Sequence, residues 1–146
     1  MISLGRVAVT LSLAAFCTAA LPCGHCVEDK VAAVYDHAEL MRAEAAHHHV
    51  AFCAVEGNLP ADENAQRNIA RTVEAIAGVD RGSMRMSVEN TALAFTFDPS
   101  RISVDKAVRA MNRKVAALGF RLEPIRVMER TAELKKVEAA SPGRRP

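Results

Sequence analysis

Residues 91 to 111, TALAFTFDPSRISVDKAVRAM, place a strand, a break and a helix in immediate succession. Leu93, Phe95 and Phe97 alternate along the first part, and this period of two predicts a strand. The segment DPSRIS ends the strand, and Ser103 is a favourable N-cap for the apolar, helix-periodic residues that follow it. This stretch therefore predicts the second half of a mixed α+β domain.

The segments on either side extend this pattern in both directions. Residues 50 to 57 and 83 to 89 have strand character, and residues 62 to 78 between them have helical periodicity. Residues 120 to 127 predict a last strand. Because this strand contains Pro124, it is expected to lie at a sheet edge or to end early. The order strand, helix, strand, strand, helix, strand predicts a ferredoxin-like βαββαβ fold, with a four-stranded antiparallel sheet and two helices on one face.

An additional helix is predicted over residues 27 to 46, ahead of the first strand. Glu39 and the other acidic residues lie off its apolar stripe. This stripe is predicted to cover the sheet face that lacks helices, through Val50 and Phe52 on the first strand, with helix and strand antiparallel. The stripe consists of Val27, Val31, Val34, Ala38, Met41 and Ala45.

Composition narrows the classes of function. The chain of 146 residues carries a formal net charge of +2, without Trp and with one Tyr. No basic stripe or stacking platform is present, so nucleic-acid binding is not expected. No Ser-His-acid pattern, phosphate-binding Gly loop or paired-carboxylate cleft predicts an enzyme.

The N-terminus predicts export. Residues 1 to 20 have a positive start, an apolar run and small residues at their end, typical of a signal peptide, with an uncleaved anchor as the alternative. The mature protein is then expected to be periplasmic or secreted and not embedded in a membrane. Its predicted parts are residues 21 to 48, residues 49 to 127, and a charged, partly disordered tail over 128 to 146.

Several framework segments resemble the heavy-metal-associated domain family of periplasmic mercury-binding proteins and copper chaperones. They are VEG at 55 to 57, IARTVEAIAGV at 69 to 79, ALAFTFDPSRIS at 92 to 103 and ALGF at 117 to 120. The resemblance implies the ferredoxin-like fold, whereas the family's capture of a soft metal by two thiolates must be argued from other residues. The family's Met-x-Cys-x-x-Cys is missing, however, because its cysteines would fall on Asp62 and Ala65.

The segment CGHC at residues 23 to 26 is the candidate replacement for the missing pair. Cys23 and Cys26 as thiolates would suit Cu(I), Zn(II) or Hg(II), and His25 could add a nitrogen ligand. The expected partners are the metal ion and a metal-transport protein. Three alternatives remain open: a local disulfide, a thiol-disulfide oxidoreductase, and a metal-free protein-interaction module of the same fold.

Two other features carry weaker signals. His47, His48 and His49 could bind a borderline metal, but a solvated helix C-terminus is the favoured interpretation. Cys53 lies in the middle of the first strand and is interpreted as a buried apolar thiol, with a disulfide to an N-terminal Cys as the alternative.

Overall fold

The computed structural model describes residues 26 to 129. The predicted signal peptide, Cys23, His25 and the tail from residue 130 lie outside these described residues. The helices are α1 (Val27–Ala33), α2 (His37–Ala45), α3 (Glu63–Glu74) and α4 (Val104–Val115), with a 3-10 turn at Ala116–Leu118. The strands are β1 (His49–Gly57), β2 (Arg85–Ser87), β3 (Ala92–Phe97) and β4 (Phe120–Met128).

The four strands form one antiparallel sheet in the order β2-β3-β1-β4. This order, with α3 and α4 as the connections, is the ferredoxin-like arrangement, and the α+β fold is confirmed. Pro124 lies on the edge strand β4 opposite Cys53, where the register shifts between Phe52 and Cys53. The edge position expected for Pro124 is therefore also confirmed, because an edge strand tolerates a residue without an N–H.

Both faces of the sheet are buried, and alternate strand residues contribute to different cores. Cys53 and Phe95 point into the larger core beneath α3 and α4. Val50 and Phe52 point into a second core, which also contains Val31 of α1. The N-terminal segment therefore covers the face that α3 and α4 leave open, as the apolar stripe predicts, and the domain has three layers.

The N-terminal segment forms two helices where the sequence predicts one. α1 ends at Ala33 and α2 begins at His37. The break is at Asp36, whose carboxylate accepts a hydrogen bond from the backbone N–H of Glu39 at 3.1 Å. An aspartate competes for helical N–H groups in this way and is favoured at an N-cap over a helix interior.

This break also changes which residues face the sheet. Glu39, expected off the apolar stripe, is only 5 % exposed, whereas Met41, expected within the stripe, is 46 % exposed. The Glu39 carboxylate is accommodated because Thr96 of β3 donates a hydrogen bond to its Oε1 at 2.8 Å. Within residues 26 to 129, no helix has the length and apolar character needed to cross a membrane.

Candidate metal-binding site

Cys26 is the predicted thiol ligand that falls within the described residues. It occupies the N-cap position of α1 and is exposed to solvent. Its carbonyl oxygen accepts a hydrogen bond from the backbone N–H of Lys30 at 3.2 Å. An exposed cysteine at this position can be reached by an ion or by another protein.

Two side chains attach α1 to the sheet immediately after Cys26. Lys30 Nζ donates to the Asn90 carbonyl at 2.9 Å and to Thr91 Oγ1 at 2.7 Å, in the turn between β2 and β3. Glu28 pairs with Arg126 of β4 at 3.2 Å. Together with the buried Val31, these contacts fix the helix that begins at Cys26.

The two contacts of α1 reach different parts of the sheet. Arg126 pairs with Phe52 in the middle of β1, five positions before Gly57, which is roughly 17 Å at 3.4 Å per residue. Thr91 lies at the end of the sheet near Gly57, because its carbonyl accepts from the N–H of Val55. Glu28 is thus tied to the middle of β4, and the side chain of Lys30 to the end of the sheet that carries the 57 to 62 loop.

The 57 to 62 loop, where the resembling family carries its cysteines, is a compact turn without a thiol. Leu59 is buried in the larger core, and Asp62 accepts a hydrogen bond from the N–H of Ala65 at 2.8 Å. Gly57 has a φ of +98°, and a Cβ there would lie 2.5 Å from the carbonyl oxygen of Gly119. The residues of this loop therefore serve close packing and the capping of α3.

Cys53 is fully buried in the larger core, on the sheet face opposite α1. Burial raises the pKa of its thiol to about 12, because the thiolate would be desolvated there. It forms no disulfide with Cys26. The interpretation of Cys53 as a buried apolar thiol is confirmed.

The three consecutive histidines adopt separate roles at the end of α2. His47 has a φ of 58°, and its N–H donates to the Glu44 carbonyl at 3.0 Å. The N–H of His48 donates to the Ala43 carbonyl at 2.7 Å. This pair of bonds is a Schellman motif, in which His47 takes the left-handed position usually given to glycine.

The side chains of His48 and His49 are only partly solvated, so a fully solvated helix end is wrong for these two residues. His48 Nδ1 lies 2.7 Å from Asp80 Oδ2, and its Nε2 lies 3.9 Å from Asp98 Oδ2. The ring of His49 contacts Phe97 edge-on, with centroids 5.8 Å apart. A chain reversal at His47 turns these side chains towards the sheet, a change that residue spacing does not reveal.

Within the described part of the chain, no three His, Cys, Asp or Glu side chains are grouped so that they could together hold a metal ion. Cys26 alone cannot supply a soft-metal site. Cys23, the other predicted thiol ligand, lies outside the described residues.

Comparisons with known proteins are sparse. No family model matches the chain, and no curated protein matches it. Among solved structures, it is similar to oxidized MerP from Ralstonia metallidurans CH34, with a TM-score of 0.42 and 18 % identity. That similarity covers 54 % of this chain and 99 % of the other.

Proposed function

We propose that this protein is an exported carrier that binds a soft transition metal through Cys23 and Cys26, with His25 as an additional ligand. The observation that carries the proposal is the contrast between the two described cysteines. Cys26 is exposed at the start of an anchored helix, whereas Cys53 is buried. Of these two thiols, the one that an ion from outside the domain can reach is therefore Cys26 of the CGHC segment.

The chemistry of the segment fits Cu(I), Zn(II) or Hg(II). Two thiolates separated by two residues can bind one soft ion, and an imidazole nitrogen suits Zn(II) in addition. Lys30 and Glu28 tie the following helix to the sheet, so one end of the CGHC segment is held in place. Release to a metal-transport protein would be favoured by an exposed site of few ligands.

The test is metal binding by the reduced mature protein. We expect about one equivalent of Cu(I), measured by competition with a chromophoric chelator, and its loss in the Cys23→Ser/Cys26→Ser variant. Cys53→Ala is the matched control, since it also removes a thiol but one that is buried. Binding by the double variant that equals binding by the parent would refute the proposal.

A metal-free interaction module is the second candidate, and the closed, thiol-free 57 to 62 loop favours it. It predicts that a partner protein is retained in pull-downs equally by the parent and the double variant, without metal. The carrier instead predicts that retention of a metal-transport protein depends on both cysteines. Reduction of insulin disulfides would point to the third alternative, a thiol-disulfide protein.

A further inference from the structure

The His48 ring lies between two carboxylates from different loops. Asp80 belongs to the connection between α3 and β2, and Asp98 follows β3 directly. Nδ1 is 2.7 Å from Asp80 Oδ2, and Nε2 is 3.9 Å from Asp98 Oδ2. The side chains of His48 and Asp98 are 23 % and 21 % exposed, so the cluster is partly shielded from water.

The contact with Asp80 determines where a neutral imidazole carries its proton. An ionised carboxylate can only accept hydrogen bonds, so Nδ1 must be the donor in the 2.7 Å contact. Nε2 then presents a lone pair towards Asp98 Oδ2. The distance of 3.9 Å is too long for a hydrogen bond, and the two electron-rich atoms have no attraction for each other.

Asp98 is held in place through its other carboxylate oxygen. Oδ1 accepts hydrogen bonds from the Ser100 N–H at 2.9 Å and from Ser100 Oγ at 2.6 Å. The hydroxyl of Ser100 is the main cause that lowers the pKa of Asp98, with smaller contributions from the Ser100 N–H, from His48 and from Arg101. Asp98 is therefore favoured as a carboxylate whose Oδ2 lies on the side of His48.

We propose that His48 Nε2 and Asp98 Oδ2 bind one borderline divalent cation of the Zn(II) type, with water completing its coordination. Zinc bonds to imidazole nitrogen and carboxylate oxygen are each about 2.0 to 2.2 Å, so a tetrahedral ion holds these two atoms about 3.4 Å apart, and the separation of 3.9 Å would close by about 0.5 Å on binding. Asp80 is the positioning residue, because a carboxylate on the second nitrogen fixes the tautomer and orientation of a ligating histidine.

Hydrogen bonds hold the backbone on which these groups are placed. The N–H of Asp98 donates to the Gly78 carbonyl at 2.8 Å, and the N–H of Asp80 donates to the Thr96 carbonyl at 2.9 Å. The Schellman motif at His47 fixes the chain just before His48. The nitrogen and oxygen donors also differ from the thiols at CGHC, so this second site would prefer a borderline ion to a soft one.

The experiment uses the mature protein with Cys23→Ser and Cys26→Ser, so that the thiol site cannot contribute. Titration with ZnCl₂ at pH 7 is followed by NMR of the histidine ring nitrogens. We expect saturable binding with a shift of His48 Nε2, because coordination changes the shielding of the bonded nitrogen. This measurement needs no change within the proposed site and does not depend on the outcome at CGHC.

Variants then test the assignment by calorimetric titration in the same thiol-free background. His48→Gln and Asp98→Asn should abolish the binding, and Asp80→Asn should weaken it about tenfold. His37→Gln is the matched control, because His37 is exposed at the start of α2 and outside the cluster. Thermal unfolding establishes that each variant is folded.

Three outcomes would overturn the proposal. The first is that the parent in this background binds no zinc. The second is that His48→Gln binds zinc as well as His37→Gln does, which would assign binding to other histidines. The third is that Nε2 is protonated at pH 7 and insensitive to zinc, which would make the cluster an ion pair of imidazolium with two carboxylates.

Discussion

The hydrogen bond between Thr96 and Glu39 joins the N-terminal layer to the centre of the sheet. The substitution Thr96→Val tests how much this bond contributes to the free energy of unfolding. Thr96 is fully buried and donates to Glu39 Oε1 at 2.8 Å. Glu39 Oε2 forms an ion pair with Arg42 and lies 3.8 Å from Arg85. Val has nearly the shape of Thr, so the substitution removes the donor with little change in packing.

A hydrogen bond to a charged group contributes about 1.5 to 3 kcal/mol, and we expect Thr96→Val to lower the free energy of unfolding by about 2 kcal/mol. The Glu39→Leu/Thr96→Val double variant should lose less than this, because no buried carboxylate is left without a donor. Urea denaturation at pH 7 measures both values.

Thr72→Val is the matched control for this comparison. Thr72 Oγ1 donates to the Asn68 carbonyl at 2.8 Å, but on the solvent side of α3. Its loss should stay within about 0.5 kcal/mol. A loss of that small size for Thr96→Val, or a double variant that is less stable than the single variant, would contradict the role given to the buried pair.

Two further predictions concern titrating groups. The N–H of Glu39 and the guanidinium of Arg85 hold the pKa of Asp36 below its ordinary value of 3.8. Asp36 therefore stabilises the fold above about pH 4. This contribution to the free energy of unfolding disappears as the pH falls through the lowered pKa. Urea unfolding between about pH 5 and pH 2 should therefore show a shallower decline for Asp36→Asn than for the parent, and parallel curves would contradict the argument. Burial raises the pKa of the Cys53 thiol to about 12, so this thiol should not react with Ellman's reagent in the folded Cys23→Ser/Cys26→Ser variant. It should react once the variant is unfolded in urea. Equal reaction rates in both conditions would show that the thiol is accessible in the folded protein.

The order of strands and helices along the chain and the two sheet faces could be predicted because they depend on short-range periodicity. Alternation at Leu93, Phe95 and Phe97 reports one buried face, and the residues between them are buried on the other face. The segment that covers this second face was also predictable, since Val31 and Val34 repeat at a helical spacing. Local hydrophobic patterns record which sides of an element are buried.

The features that sequence reasoning missed depend on capping and on contacts between distant residues. Asp36 followed by Glu39 has the spacing of an N-cap and its N3 residue, and this signal could have located the break between α1 and α2. The left-handed conformation of His47 has no comparable signal, because histidine is not the usual residue there. The meeting of His48 with Asp80 and Asp98 depends on the completed fold, so spacing along the chain could not reveal it.

The two edges of the sheet have a consequence for how other proteins can approach this one. β2 is only three residues long, and β4 carries Pro124, which cannot donate to a neighbouring strand, beside an irregularity in the register. Short, interrupted edges discourage strand addition and edge-to-edge association.

Because helices also cover both broad faces, a protein that exchanges metal with this one would have to engage its helices and loops. The start of α1, where Cys26 is exposed, is such a surface. Recognition there would depend on side-chain complementarity and would leave the hydrogen bonding of the sheet unchanged during transfer.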